Sequence, residues 1–154
     1  MATAYSKIQR NFWETDEARE MTPEEKYFWM YLQTNANVNT LGCYAFRMRK
    51  AMDETGYNRE TLEKLLQRME QVLRILYDEG TKEVFLLHWA EGNWNKKTAN
   101  LRALAADLKE IQSKTLKETV KTLLLKNGIF TEEEVEKAEK TAPSAQERNE
   151  KEQR

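Results

Sequence analysis

The sequence predicts a mainly α-helical fold that contains one small β-hairpin. Apolar residues recur at spacings of three and four along much of the chain, which is typical of helices with one buried face. The pattern changes in the run ILYDEGTKEVFLLHW, where two stretches rich in aliphatic and aromatic residues flank the turn DEGTK. We therefore expect helices before and after a single hairpin.

The composition limits the kinds of function to consider. The chain has 154 residues, of which 40% are hydrophobic and 33% charged, as in a helix-rich protein with a modest core. The formal net charge is −1, so binding to nucleic acid would need a local basic patch. One cysteine and one histidine argue against a zinc site within the chain, and we expect no metal and no cofactor. The chain shows no signal peptide and no apolar run of about 20 residues, so we expect a cytoplasmic protein without a membrane partner.

The first predicted core helix begins at a strong start signal. Thr22 can cap the helix, Pro23 fits its first position and Glu25 completes a capping box. The helix continues through KYFWMYLQT, whose apolar residues follow helical spacing. The polar loop NANVNT follows it, and the run LGCYAF predicts a brief strand.

Two closely spaced helices come next, over 47–55 and 59–73. Gly56 ends the first one, and Asn58 is a plausible cap for the second, whose apolar face includes Leu62, Met69 and Leu73. Helices joined so tightly must cross, and many proteins present a helix to DNA in this way. With the hairpin as the wing, the order of elements predicts a winged helix-turn-helix within residues 1–97.

The segment 98–140 predicts further helices, over 98–113, over 115–126 and from Thr131 onward. They carry two apolar faces, and packing one helix on the winged body would cover only part of this surface. We therefore predict that these helices drive a homo-oligomer; the alternative is that they complete the core of the monomer. The residues of the two apolar faces are Leu101, Leu104, Leu108 and Ile111, then Leu116, Val120, Leu123 and Leu124.

Residues 141–154 are predicted to be a disordered polar tail.

Several short motifs are characteristic of one family. They are TPEEK before an aromatic helix, GCY before the second helix, ETG with NRETL at the turn, and NW after the hairpin. Over about residues 5–97 the chain resembles the N-terminal winged-helix domain of phage replisome organisers, relatives of the DnaD-type primosomal proteins. The resemblance implies binding of double-stranded DNA at a replication origin, self-association, contacts with host replication proteins and a place in the host bacterial cytosol.

The candidate DNA-binding residues follow from the predicted fold. The second helix of the pair would enter a major groove, the start of the first would hold phosphates, and the wing would reach the adjacent backbone. The residues of the inserted helix are Asn58, Arg59, Thr61, Lys64, Gln67 and Arg68. The phosphate contacts are Arg47, Arg49 and Lys50, together with Lys82 on the wing.

Other interpretations remain open. Glu60 and Glu63 oppose phosphate binding, and we interpret both as a solvated helix face in which Glu60 pairs with Lys64. The low net charge also fits a protein-docking winged helix, such as a phage adaptor or an inhibitor of a host factor, and a transcriptional regulator would bind DNA with the same fold. Trp94 could stack on a base or fix the loop after the wing to the body. Catalytic motifs are absent from the sequence, so we expect no enzyme activity.

Overall fold

The computed structural model describes residues 4–140, and most of them lie in helices. The predicted fold class is confirmed: the protein is mainly α-helical, with a small antiparallel sheet. The predicted tail at 141–154 lies outside the described residues. In chain order, the elements are a 3-10 helix at Arg10–Glu14, α1 (Asp16–Glu20), α2 (Pro23–Thr34), β1 (Cys43–Ala45), α3 (Met48–Thr55), α4 (Arg59–Gln71), β2 (Ile75–Asp78), β3 (Glu83–Leu86), α5 (Ala90–Asn93), α6 (Thr98–Glu110), α7 (Lys114–Lys126) and α8 (Glu132–Lys140).

Side-chain caps fix the starts of α2 and α4, as the sequence predicts. At α2 the Glu25 amide donates to Thr22 Oγ1 at 3.2 Å, and the Thr22 amide donates back to Glu25 Oε2 at 3.3 Å. At α4 the Thr61 amide donates to Asn58 Oδ1 at 2.8 Å. Gly56 ends α3 in the left-handed conformation, with φ of 82°. The tight turn between α3 and α4 is therefore set by Gly56, which ends one helix, and by Asn58, which caps the next.

The sheet joins the predicted brief strand to the predicted hairpin. Its order is β1-β3-β2, with both pairs antiparallel, so β3 is the central strand. Cys43 pairs with Phe85 on one side of β3, and Ile75 pairs with Leu86 on the other. The order α2, β1, α3, α4, β2, β3 with this sheet is that of a winged helix-turn-helix, in which α4 is the second helix of the pair and β2–β3 is the wing.

One hydrophobic core connects the winged body with the helices after it. Phe28, Met69 and Phe85 of the winged body are fully buried, as are Leu104 and Leu124 of the later helices. The expectation that much of the apolar surface of residues 98–140 would stay uncovered in a single chain was wrong, because α6, α7 and α8 complete the core of the monomer. A single hydrophobic core therefore extends across the predicted domain boundary between residues 97 and 98.

Helix α4 ends earlier than its apolar spacing predicts. The helix stops at Gln71, and Leu73 adopts a left-handed conformation with φ of 57°. This turn directs the chain into β2 and leaves Leu73 67% exposed, so its predicted place on the core face was wrong. Spacing alone does not show where a chain must leave the helix to join a sheet.

Two further observations concern the described range. In residues 4–140, every helix is too short or too polar to cross a bilayer. The same range contains no group of three or more His, Cys, Asp or Glu side chains placed to hold a metal ion.

Candidate nucleic-acid interface

A groove of about 610 Å³ is lined by the start of α3, one face of α4 and the wing. These are the three elements that the sequence predicts to contact DNA. Leu65 and Met69 on the opposite side of α4 are buried, which fixes the rotation of the helix and turns its polar face outward. The groove also has an apolar part, formed by Phe46, Met48, Leu66 and Tyr77.

Five predicted cations gather at this groove. Arg47, Arg49, Arg59 and Lys82 line it, and Lys50 shares an adjoining depression with Arg47 and Arg49. All five are exposed, and none forms an ion pair with another of the described residues. We call these five residues the basic cluster. Four of them belong to the closely spaced α3 and α4 or their caps, and the fold brings Lys82 of the wing beside them.

The backbone holds the wing end of the basic cluster in place. The Phe46 amide donates to the Lys82 carbonyl at 2.8 Å, which sets Lys82 beside the residue that precedes Arg47. The Lys82 amide donates to the Asp78 carbonyl, also at 2.8 Å, and closes the turn of the wing. Both backbone polar groups of Lys82 are therefore hydrogen-bonded, which fixes the position from which its exposed side chain extends.

The structure places the other predicted residues in different roles. Gln67 is exposed and lines the groove. Asn58 caps α4 through the Thr61 amide, so the Asn58 oxygen is already engaged. Lys64 lies outside the groove lining and pairs with Glu60 at 3.3 Å, and both side chains are exposed, as the interpretation of a solvated face predicts.

Arg68 departs from its predicted role. Its Nε donates to Oε1 of the buried Glu25 at 3.2 Å, and it lines a separate cleft with Glu17 and Glu20. The side chain thus ties α4 to α2 and does not reach the groove. Helical spacing did not show this, because the partner carboxylate lies 43 residues away.

Three carboxylates lie in the same groove as the basic cluster. Glu63 and Glu70 of α4 and Glu79 of the wing turn lie near Tyr77, and we call them the acidic cluster. Burial raises the pKa of Tyr77, and the neighbouring Glu79, Glu63 and Glu70 raise it further. Burial also raises the pKa of Glu70, with a smaller contribution from Glu79. With four cations and three carboxylates in its lining, the groove has a net charge of +1.

The acidic cluster could be predicted only in part from the sequence. We interpreted Glu63 as part of a solvated face, yet it lines the groove without an ion pair to any described residue. Residues 63, 67 and 70 follow helical spacing, so the position of Glu70 on this face could have been predicted. The contribution of Glu79 depends on how the wing folds over α4, which spacing does not reveal.

Trp94 belongs to the body of the protein and not to the interface. Its side chain is buried, its ring stacks on Phe85 with centroids 6.4 Å apart, and its Nε1 donates to the Leu41 carbonyl at 3.0 Å. Stacking on a base was therefore the wrong alternative. Trp94 fixes the loop after the wing to the loop before β1.

The junction of α6 and α7 supports the wing from behind. Glu83 is buried and accepts hydrogen bonds from the amides of Gln112, at 3.0 Å, and Ser113, at 2.7 Å. Ser113 Oγ donates to Asp78 Oδ2 at 2.5 Å and caps α7 by accepting from the Leu116 amide. Because Asp78 and Glu83 face each other across the hairpin, both strands are held at the end next to the turn of the wing.

Comparisons with known proteins give no match. No protein-family model matches the chain, and the searches of curated proteins and of solved structures also returned none. They neither support nor contradict the resemblance to replisome organisers.

Proposed function

We propose that this protein is a non-enzymatic DNA-binding protein whose winged helix-turn-helix binds duplex DNA at a phage replication origin. The observation that supports DNA binding most strongly is the basic cluster, in which five exposed cations converge beside the polar face of α4. Unpaired cations that already lie together can bind phosphates without first breaking ion pairs. The origin as the target is supported by the resemblance of residues 5–97 to replisome organisers.

In this proposal, each part of the groove has a different task. Arg47, Arg49 and Lys50 at the start of α3 contact one phosphate backbone, and Lys82 on the wing contacts the backbone beside it. Helix α4 has 13 residues and is about 20 Å long, enough to enter a major groove. Arg59 and Gln67 on its exposed face then reach base edges, where arginine favours guanine and glutamine favours adenine.

A salt titration with matched variants tests this proposal. Binding of duplex DNA is measured at two salt concentrations for the natural protein, for Lys50→Ala and for Lys64→Ala. Each phosphate contact contributes about 0.9 to the slope of log affinity against log salt, so Lys50→Ala lowers the slope by about one. Lys64→Ala removes the same charge from α4 outside the groove lining and leaves the slope unchanged. Absence of duplex binding at low salt would contradict the proposal.

The acidic cluster favours a second candidate, in which the groove docks a protein. A basic amphipathic segment of a host replication factor would pair with Glu63, Glu70 and Glu79 and cover the apolar part of the groove. The charge reversal Glu79→Lys separates the two candidates, because it strengthens binding to DNA and weakens binding to a basic segment. Capture of a host protein that survives nuclease treatment, and is lost with Glu79→Lys, would favour docking.

A further inference from the structure

Glu63 occupies the middle of the row of α4 side chains that faces the groove. It follows Arg59 by four residues and precedes Gln67 by four, and all three line the groove. Residues four apart lie on the same face of a helix, about 6 Å apart along its axis. Any DNA that Arg59 and Gln67 both contact therefore passes directly over Glu63.

The carboxylate of Glu63 has no ion-pair partner among the described residues, unlike that of Glu60. Glu60, one turn earlier, pairs with Lys64 at 3.3 Å. Glu63 is exposed and has neither an ion pair nor a side-chain hydrogen bond with any part of the chain between residues 4 and 140. A free carboxylate between two donors that would bind bases repels every phosphate nearby, so its presence needs a compensating contact.

We propose that Glu63 selects cytosine at a base pair that lies between those contacted by Arg59 and Gln67. This inference rests on the proposed binding of duplex DNA. An ionised carboxylate only accepts hydrogen bonds, and in the major groove cytosine offers the N4 amino donor. Guanine and thymine present acceptors to the same oxygen atoms, and adenine places its N7 acceptor beside its amino group. Glu63 thus lowers affinity for most sequences and leaves the matching one favoured, which is selection by exclusion.

Selection from a pool of randomised duplexes tests the assignment. The natural protein, Glu63→Gln, Glu63→Ala and the control Glu60→Gln are each used to enrich binding sequences. We expect the natural protein and Glu60→Gln to enrich the same site, with one cytosine preferred on the order of 10- to 100-fold. Glu63→Gln is expected to prefer adenine at that position, since an amide both donates and accepts. Glu63→Ala is expected to lose the preference and to bind unrelated duplexes more tightly.

The outcomes separate this inference from the proposed function. An unchanged site for Glu63→Gln would overturn the role of Glu63 while leaving DNA binding intact. Duplex binding by the natural protein without any enriched sequence would also overturn it alone. If the natural protein enriches no duplex and binds none at low salt, the proposed function itself fails. Glu63 is exposed, so the melting temperatures of its variants are expected to match that of the natural protein.

Discussion

At the scale of single residues, the loop before β1 depends on Gly42. The residue has φ of 79°, and a Cβ built on it would lie 2.4 Å from Trp89 Cδ1 and 2.5 Å from Trp89 Cγ. The Trp89 ring is held there because its Nε1 donates to the Thr40 carbonyl at 3.0 Å. The backbone conformation and the close approach of the ring therefore both require glycine.

We expect Gly42→Ala to lower the free energy of unfolding by about 2 to 5 kcal/mol, from left-handed strain and overpacking together. Gly56 provides a matched control, because it has φ of 82° but no atom near its would-be Cβ within 4 Å. Gly56→Ala should lose only the strain, about 1 to 2 kcal/mol. Urea unfolding of both variants measures the difference. Equal losses would show that contact with Trp89 does not matter.

Residues whose roles are set by their neighbours in sequence were predicted correctly. Thr22 and Asn58 cap their helices because a capping side chain needs an amide only three residues away. Arg68 was misassigned, and the two alternatives for Trp94 stayed open, because their partners, Glu25 and Leu41, are 43 and 53 residues away. A pattern along one helix or loop contains no information about such a partner.

At the scale of elements, the wing depends on the start of α7. The Ser113 hydroxyl, which donates to Asp78, is the largest cause that holds the pKa of that carboxyl below its ordinary value. A carboxyl group with a lowered pKa in the folded state stabilises the protein above its unfolded pKa, about 3.9 for aspartate. This contribution is lost as the pH falls through the lower, folded pKa. The connection between the wing and α7 should therefore weaken in acid, below about pH 4.

We expect Ser113→Ala to reduce the acid dependence of the free energy of unfolding, because the pKa of Asp78 then returns towards its ordinary value. The variant also loses the cap of α7, which costs about 0.5 to 2 kcal/mol at every pH. Thr131→Ala is the control, since it removes the cap of α8 and does not touch Asp78. Chemical unfolding between pH 2 and pH 7 measures all three proteins. Parallel curves for the natural protein and Ser113→Ala would contradict this account.

The elements themselves were more predictable than their packing. The hairpin followed from two apolar stretches around a turn, and the brief strand before α3 was also predicted. Its antiparallel pairing with β3, however, joins Cys43 to Phe85 across the whole helix pair. The supporting contacts of Glu83 with Ser113 were not predicted, because a glutamate in a strand gives no sign that it will be buried against a helix start.

At the scale of the whole molecule, the common core predicts one cooperative unfolding transition. All four tryptophans lie within the winged body, so their fluorescence reports on that part. Circular dichroism at the helical band also reports on α6, α7 and α8. We expect the two signals to change at the same urea concentration. Separate transitions would show that residues 98–140 fold as an independent unit.

Truncation after Lys97 should unfold the winged body. It removes Leu104, Leu108 and Leu124, each fully buried, and burial of one leucine contributes roughly 1.5 to 3 kcal/mol. The total, roughly 4.5 to 9 kcal/mol, is comparable to the whole stability of a small domain, about 5 to 15 kcal/mol. Loss of the circular-dichroism signal of the winged body is the expected result, and a folded fragment would contradict it.

Self-association stays a prediction that light scattering can test. The uncovered apolar surface of residues 98–140, from which it was predicted, is however buried within a single chain. Periodicity showed correctly that α6 and α7 have apolar faces. It could not show which surface covers them, since a winged body and a second chain offer similar apolar partners. In the structure Leu116 and Val120 are buried within one chain.

The indole groups of Trp89 and Trp94 donate to consecutive carbonyls, those of Thr40 and Leu41. Two segments about 50 residues apart are thereby joined at adjacent residues, so both hydrogen bonds must break before the segments separate. The indole hydrogens of these two side chains exchange with deuterated solvent only when this joint opens, whereas that of the exposed Trp13 exchanges at once. The rates at which their nuclear magnetic resonance signals disappear in deuterated solvent therefore measure how often the winged body opens, without the need for any ligand.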